Sequence, residues 1–321
     1  HLHWLSTGFV SIESIGKLDG PVVWTLHDMW PFTGGCHYSG ECTAYSVACG
    51  ACPELKSSHS VDLSRLVLLR KLAAWKRLNL TVVAPTAWLA RRARASRLFG
   101  SRPVEVIPLG IDTSTYRPVP IPLARELLGL PQDAKVVLFG ALGGDYRKGR
   151  DLLDAALARA DQSRATGDLQ LIVFGSAGTT RSSDASTTRT RYLGHLTDDL
   201  SLAVAYSAAD VMVVPSREDN FPLTALEALA CGTPVVGFDS TGLADMVDHC
   251  QTGYLARSFD PDDLWRGIQW VLEDDARRRA LAQQARDKAV RDFAIEKVAM
   301  AYRNLYQRVT SASASRLAPA E

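Results

Sequence analysis

From Lys135 onward the chain alternates short β-branched runs with helical stretches of about 10 to 15 residues, the pattern of parallel βαβ units. Lys135 to Gly140, Leu169 to Gly175, Val211 to Val214 and Pro234 to Phe238 read as strands. Several end in Gly or Pro, where the chain must turn sharply. Their near-continuous apolar character suits parallel strands buried on both faces. Asp151 to Ala160, Asp198 to Ala208, Pro222 to Cys231 and Pro261 to Leu272 read as helices, and a long helical stretch runs from Asp275 to about Arg308. The expectation for this half is a doubly wound α/β domain. Upstream, Pro21 to His27, Leu80 to Pro85 and Val104 to Pro108 look like strands of a second α/β domain. Asp112 to Pro122, with Pro118, Pro120 and Pro122, reads as the linker, and Thr310 to Ser315 as a frayed tail.

A chain of 321 residues has room for two domains, and a 46% hydrophobic composition is that of a folded protein. A net charge of +1 argues against bulk nucleic-acid binding. No apolar run approaches the ~18 to 20 residues that a membrane span needs. The sequence opens on His1-Leu2-His3 with neither Met nor a signal-like segment, so an earlier N-terminal part is expected. Between Asp62 and Glu105 there is no acidic residue, whereas Arg65, Arg70, Lys71, Lys76, Arg77, Arg91, Arg92, Arg94, Arg97 and Arg102 are basic. Interleaved leucines and tryptophans make this basic 65–102 region read as amphipathic helices. Such a surface can lie on anionic lipid, each basic side chain contributing roughly 1 kcal/mol. The alternative is an ordinary solvated face.

Directly after Val211 to Val214 comes Pro215-Ser216-Arg217-Glu218-Asp219-Asn220-Phe221-Pro222-Leu223-Thr224-Ala225-Leu226-Glu227. Asp219 and Glu227 stand eight positions apart across the start of a helix that follows a parallel strand, and so face the crevice where such sheets bind ligands. Glu227 lies in an otherwise apolar helix, and a buried carboxylate needs a partner or a ligand hydroxyl. The alternative is that Asp219 caps the helix and Glu227 has a core partner. A second loop, Gly140 to Gly149, follows a strand and precedes a helix. Its glycines let backbone approach a ligand closely, and Lys148 or Arg147 can neutralise a pyrophosphate.

Together these segments resemble the retaining, GT-B-fold glycosyltransferases of family four, whose nucleotide-sugar motif is Glu-x7-Glu followed by Ala-x-Ala-x-Gly-x-Pro-Val-Val. Asp219 stands where the family has its first Glu, one methylene shorter, and Glu218 beside it is the other candidate acid. The resemblance implies two doubly wound Rossmann-like domains facing a cleft, with residues 1–111 on the acceptor side, 112–122 as linker and 123–292 binding the nucleotide sugar. Residues 293–310 would be a helix packing back on the first domain, and 311–321 a flexible tail. The first domain reads as truncated, lacking several βα units and the Gly-rich loop that normally faces the donor phosphates. Within the motif Glu227 would hold the donor ribose and Asp219 the sugar hydroxyls, with Asn220, Phe221, Pro222 and Leu223 lining the donor. Lys148 and Gly149 match the family's Lys-Gly, and Ala141 stands where it has Arg, leaving Arg147 or Arg217 as substitutes. Gly194 and His195 fall where the family lines the base pocket; His195 alone reads as a solvated side chain.

His3 resembles the family's strand-end His that faces the transferred sugar, and His27, followed by Asp28, is a second strand-end histidine on the acceptor side. An imidazole there can donate a hydrogen bond or shuttle a proton. Each can equally be a packed structural histidine. Cys36, Cys42, Cys49 and Cys52 lie within the Cys-rich insert 34–53, and the Cys49-Gly50-Ala51-Cys52 spacing suits a structural zinc. Two disulfides or free thiols are the alternatives. Members of the exopolysaccharide and lipopolysaccharide branch carry a similar insert.

The function expected is retaining transfer of a sugar from a nucleoside diphosphate sugar to a glycan or lipid-linked oligosaccharide. No cofactor is required, and the location is cytoplasmic or peripheral on the inner membrane face. The rivals are a nucleotide-sugar epimerase or phosphorylase, and a non-catalytic scaffold or membrane-surface subunit. Donor hydrolysis or transfer separates them.

Overall fold

A computed structural model describes residues 1–5, 8–140, 144–163, 169–176 and 188–317. It divides into unit 1, His1–Leu109 with Val298–Glu321, and unit 2, Gly110–Lys297. Unit 1 contains α1 (Ile12–Ile15), β1 (Pro21–Thr25), α2 (Leu63–Ala74), β2 (Asn79–Ala84), α3 (Ala87–Ala95) and β3 (Val104–Val106). Among the described residues its sheet is parallel in the order β1-β2-β3, and Leu2 adds a parallel bridge to Trp24. Strand periodicity buries both faces of this sheet. Val22, Trp24, Leu80 and Val82 face a core built on Trp75 and Phe99, while Val23 and Val83 face the opposite way.

Unit 2 contains α4 (Ile121–Leu127), β4 (Lys135–Gly140), α5 (Arg150–Ser163), β5 (Leu169–Phe174), β6 (Thr188–Gly194), α6 (Asp199–Ala208) and β7 (Val211–Val214). It continues with α7 (Leu223–Ala230), β8 (Val235–Phe238), β9 (Gly253–Ala256), α8 (Pro261–Leu272) and α9 (Asp275–Phe293). The strand order, β6-β5-β4-β7-β8-β9, is parallel throughout. The chain leaves β4 toward β5 and β6, then returns to β7 on the other side of β4. That reversal is the switch point at whose carboxyl ends α/β sheets bind ligands. Asp198, Asp260 and Asp274 cap α6, α8 and α9 by accepting hydrogen bonds from first-turn amides.

Two parallel Rossmann-like α/β domains are therefore present, as expected. The long helical stretch from Asp275 comprises two helices, α9 and α10 (Ile295–Leu317). Ala294 between them is extended and bridges Ile111: Ile111 N donates to Phe293 O at 2.9 Å and Ile295 N to Ile111 O at 3.0 Å. Within unit 1, Val298 and Leu305 of α10 pack on Val23, Val83 and Ile107. The Ser/Ala run read as tail lies in the last turns of α10.

Within the basic region α3 is amphipathic, burying Trp88, Leu89, Ala90 and Ala93 with Arg91 and Arg94 exposed, whereas α2 departs from that pattern. Helix α2 buries Ser64, Leu68 and Lys71 and turns Leu63, Leu66 and Leu69 outward, at 62%, 50% and 42% exposure. The Lys71 ammonium donates to the carbonyls of Trp30 and Thr33 and lies 3.8 Å from the Trp30 ring centre. Arg94, Arg97 and Arg102 donate to backbone carbonyls, and Arg70 pairs with Glu13. Much of the positive charge is thus spent on local bonding. Among the described residues no helix is long and apolar enough to cross a membrane.

Candidate functional site

Two loops meet beyond the carboxyl ends of β4 and β7. In the first, Asp145 accepts a hydrogen bond from Arg147 N and starts the single turn Tyr146–Lys148. Gly149 ends that turn at φ 68°, and a Cβ there would stand 1.9 Å from Pro215 O. Only glycine supports both the left-handed backbone and this approach to the end of β7. The second loop is tied to the first by Arg217 N donating to Arg147 O at 2.7 Å. The result places Lys148 Nζ 2.7 Å from Asp219 Oδ2, with the Asp219 side chain 9% exposed and that of Lys148 31%.

Asp219 is also fixed through its backbone. Its carbonyl accepts from Gly242 N at 2.9 Å, and a Cβ on Gly242 would lie 1.4 Å from Asn220 O. Asn220 and Phe221 are buried, and the Phe221 ring meets Phe293 edge-on at 5.8 Å. Pro222 precedes α7 without a side-chain cap, so Asp219 does not serve as one; Leu223 is exposed. Of the other cations, Arg147 donates to Glu218 O at 3.2 Å and pairs with Asp145. Arg217 forks onto Asp151 at 2.8 and 2.6 Å and stacks 3.8 Å from the Tyr146 ring. Ala141, Leu142 and Gly143 of the Gly-rich loop lie outside the described residues.

One turn further along, Glu227 accepts a 2.7 Å hydrogen bond on Oε2 from the fully buried Tyr206 of α6. Burial pushes the Glu227 carboxyl up to about 7; the Tyr206 bond opposes that shift and the nearby Asp199 adds to it. Asp199 accepts in turn from Tyr116 Oη at 2.9 Å. Sequence reasoning missed both tyrosines as partners of these acids, because a Tyr inside a helix carries no spacing signal. Gly194 ends β6 at φ 71°, and His195 after it is exposed. No hydrogen bond among the described residues joins either to the Lys148–Asp219 pair.

Unit 1 has its own cluster beyond the end of β1. His3 Nδ1 and His27 Nε2 are 3.0 Å apart, and burial holds both imidazoles below their ordinary range, hence neutral near pH 7. The buried Asp28 accepts from Trp4 Nε1 at 3.0 Å, His37 Nδ1 at 2.7 Å and Trp30 N at 2.8 Å. His37 was not singled out in the sequence, lying inside the Cys-rich insert. Cys36, Cys42, Cys49 and Cys52 are free thiols, and the described residues hold no metal-binding group of three or more His, Cys, Asp or Glu. Hydrogen bonds tie the insert to the start of α2, from Cys52 N to Asp62 and from Gly50 N to Ser64. Burial pushes the Cys36 thiol up to about 11, and the neighbouring Cys49, Cys52 and Cys42 add to that shift.

Two parallel α/β domains with charged loops at the switch point define the GT-B class, and comparison with known proteins agrees. Sucrose-phosphate synthase from Thermosynechococcus elongatus has a TM-score of 0.69 at 28% identity, over 92% of this chain and 70% of that one. Anabaena HepE, solved with UDP and glucose, shares the fold, with a TM-score of 0.65 at 21% identity over 89% of this chain and 71% of its own. Residues 133–274 match the family model described as Glycosyl transferases group 1. D-inositol 3-phosphate glycosyltransferase 2 of Catenulispora acidiphila is 31% identical over 317 residues, covering 92% of this chain and 70% of the relative. The chain belongs to the group 1 glycosyltransferases. It spans only 54% of another curated relative, the D-inositol 3-phosphate glycosyltransferase of Xylanimonas cellulosilytica, at 35% identity over 67% of this chain.

Proposed function

We propose that this chain binds a nucleoside diphosphate sugar in unit 2 and transfers the sugar, with retention, to a glycan or lipid-linked oligosaccharide. The observation that carries the reading is the Lys148–Asp219 pair at the switch point, with Glu227 following in the first turns of α7. A diphosphate entering there would take Lys148 from Asp219, and Asp219 would then turn to sugar hydroxyls, so neither charge is left unpaired. Lys148 would stabilise the charge growing on the leaving diphosphate, helped by amides at the start of α7. Arg147, which pairs with Asp145 and donates to Glu218 O, and Arg217, which forks onto Asp151, are the candidates for a second cation. Glu227 would accept from the ribose hydroxyls. His3 and His27 would offer neutral hydrogen-bonding groups to the transferred sugar and the acceptor.

The polysaccharide branch is supported by relatives such as WcaC of Escherichia coli K12, named for colanic acid biosynthesis, at 28% identity over 77% of this chain and 61% of its own. Peripheral contact of the 65–102 region with anionic lipid is supported by the outward Leu63, Leu66 and Leu69. Sedimentation with phosphatidylglycerol vesicles that Leu66→Glu does not weaken would refute that contact.

Thermal unfolding against UDP, GDP, ADP and their sugar conjugates tests the donor site. At ~100 times its dissociation constant the right nucleotide adds roughly 2.7 kcal/mol to the folded state. A shift confined to one base names the donor; no shift with any of them refutes the donor site.

A further inference from the structure

Glu227 is an uneasy ligand. It sits half-buried on an apolar helix, and the same burial that shapes the site works against its charge. Around it stand Tyr206 and Asp199 from α6, Tyr116 from the segment before α4, Cys231 from the end of α7, and Arg286 of α9 beyond Cys231. Arg286 gives its guanidinium to the carbonyls of Thr113, Tyr116 and Ala230. Tyr116 is engaged with Asp199. The donor that reaches Glu227 is the Tyr206 hydroxyl.

Tyr206 is rigid. Its ring has no exposed surface and meets Phe174 of β5 edge-on at 5.6 Å and 85°, and its carbonyl accepts from Thr233 Oγ1 at 2.8 Å. Its hydroxyl occupies Oε2 of Glu227, while Oε1 has no intramolecular partner among the described residues. A carboxylate with one oxygen fixed and one open is oriented before any ligand arrives.

Building on the donor-site reading above, we propose that Tyr206 is a positioning residue for donor recognition. Its hydroxyl holds Glu227 by one oxygen, favours its ionised form, and leaves the other oxygen for a vicinal diol of the nucleotide ribose. The sign follows from the charge. Ionised Glu227 accepts charge-assisted bonds from the two hydroxyls and protonated Glu227 only the weaker neutral ones, so donor affinity rises with pH through about 7. Without the Tyr206 bond the rise moves to higher pH.

The test is calorimetric titration of UDP-glucose, GDP-mannose and ADP-glucose between pH 6 and 9, because their phosphodiester groups do not titrate in that range. The parent is expected to bind one of them with an inflection near neutrality. Tyr206→Phe retains the ring packing, and its inflection is expected about one pH unit higher, with roughly fivefold weaker binding at pH 7 that converges on the parent at pH 9. A merely structural role would weaken binding equally at every pH and overturns the proposal, as does an unchanged Tyr206→Phe profile in a parent that binds. Should Tyr206→Phe not fold, Glu227→Gln decides: its binding should lose the inflection, and an inflection that persists overturns the proposal. A parent that binds none of the three donors removes the donor-site reading, and this proposal with it.

Discussion

Beyond β4 and β7, unit 2 gathers opposite charges, Lys148 against Asp219 and Arg217 against Asp151. Beyond β1, unit 1 gathers imidazoles, with His3 on His27 and His37 on the shared carboxylate of Asp28. The two clusters occupy equivalent ends of parallel sheets and differ in what they can exchange. An ion pair can open to a charged ligand that brings its own countercharges, so the unit 2 pair suits a diphosphate attached to a sugar. The neutral imidazoles of His3 and His27, held by burial, cannot repay a phosphate in that way; they suit hydroxyl groups. Unit 2 also contains an ion pair of a different kind. Asp210 is buried and accepts from Arg125 at 2.9 Å and Val136 N at 2.7 Å, with Arg278 at 3.1 Å. Sealed from solvent, it is tied to α4 and β4 and cannot exchange partners.

The largest effect should come from that sealed pair. Asp210→Ala leaves Arg125 charged and buried, and denaturant unfolding should show a loss of about 3–5 kcal/mol. Glu227→Ala comes next: nucleotide affinity should fall roughly 30- to 100-fold by calorimetry, as expected for losing hydrogen bonds to a charged group. Affinity equal to the parent would show that Glu227 is not a donor ligand. Asp219→Asn is smaller. It removes a pair with a partly exposed lysine, so stability should move by less than about 1 kcal/mol. Free nucleoside diphosphate should then bind a few times more tightly, because Lys148 is released, while sugar transfer falls; weaker diphosphate binding would contradict the exchange. Smallest is His3→Ala, for which nucleotide affinity should stay within about twofold because the imidazoles serve hydroxyls. A collapse of nucleotide affinity there would erase the distinction between the two clusters.

The α/β organisation was legible because buried parallel strands must be apolar on both faces; Lys135–Gly140 and Val211–Val214 are strands as read. The outer strands β6 and β9 were not legible. Thr188 to Gly194 carries Arg189 and Arg191 on an edge with only one neighbour, so it lacks the apolar run of a central strand. The lesson of α2 is similar. Its composition suggested a basic amphipathic helix, yet a lysine is buried, because two carbonyls and the Trp30 ring satisfy its charge, and three leucines face outward.

The local order of the residues decided where strands and helices form, and it marked Asp219 and Glu227, because backbone periodicity, caps and glycine turns act over a few neighbouring residues. Partnership was settled by the folded chain alone. Nothing in Asp292 to Ile295 breaks a helix; Ala294 is extended because Ile111, 183 positions away in sequence, takes its neighbours' backbone bonds. Lys148 meets Asp219 across 71 residues and Tyr206 meets Glu227 across 21. The charge state and direction of a carboxylate depend on burial and on the donors that face it, and both arise only when distant segments pack together.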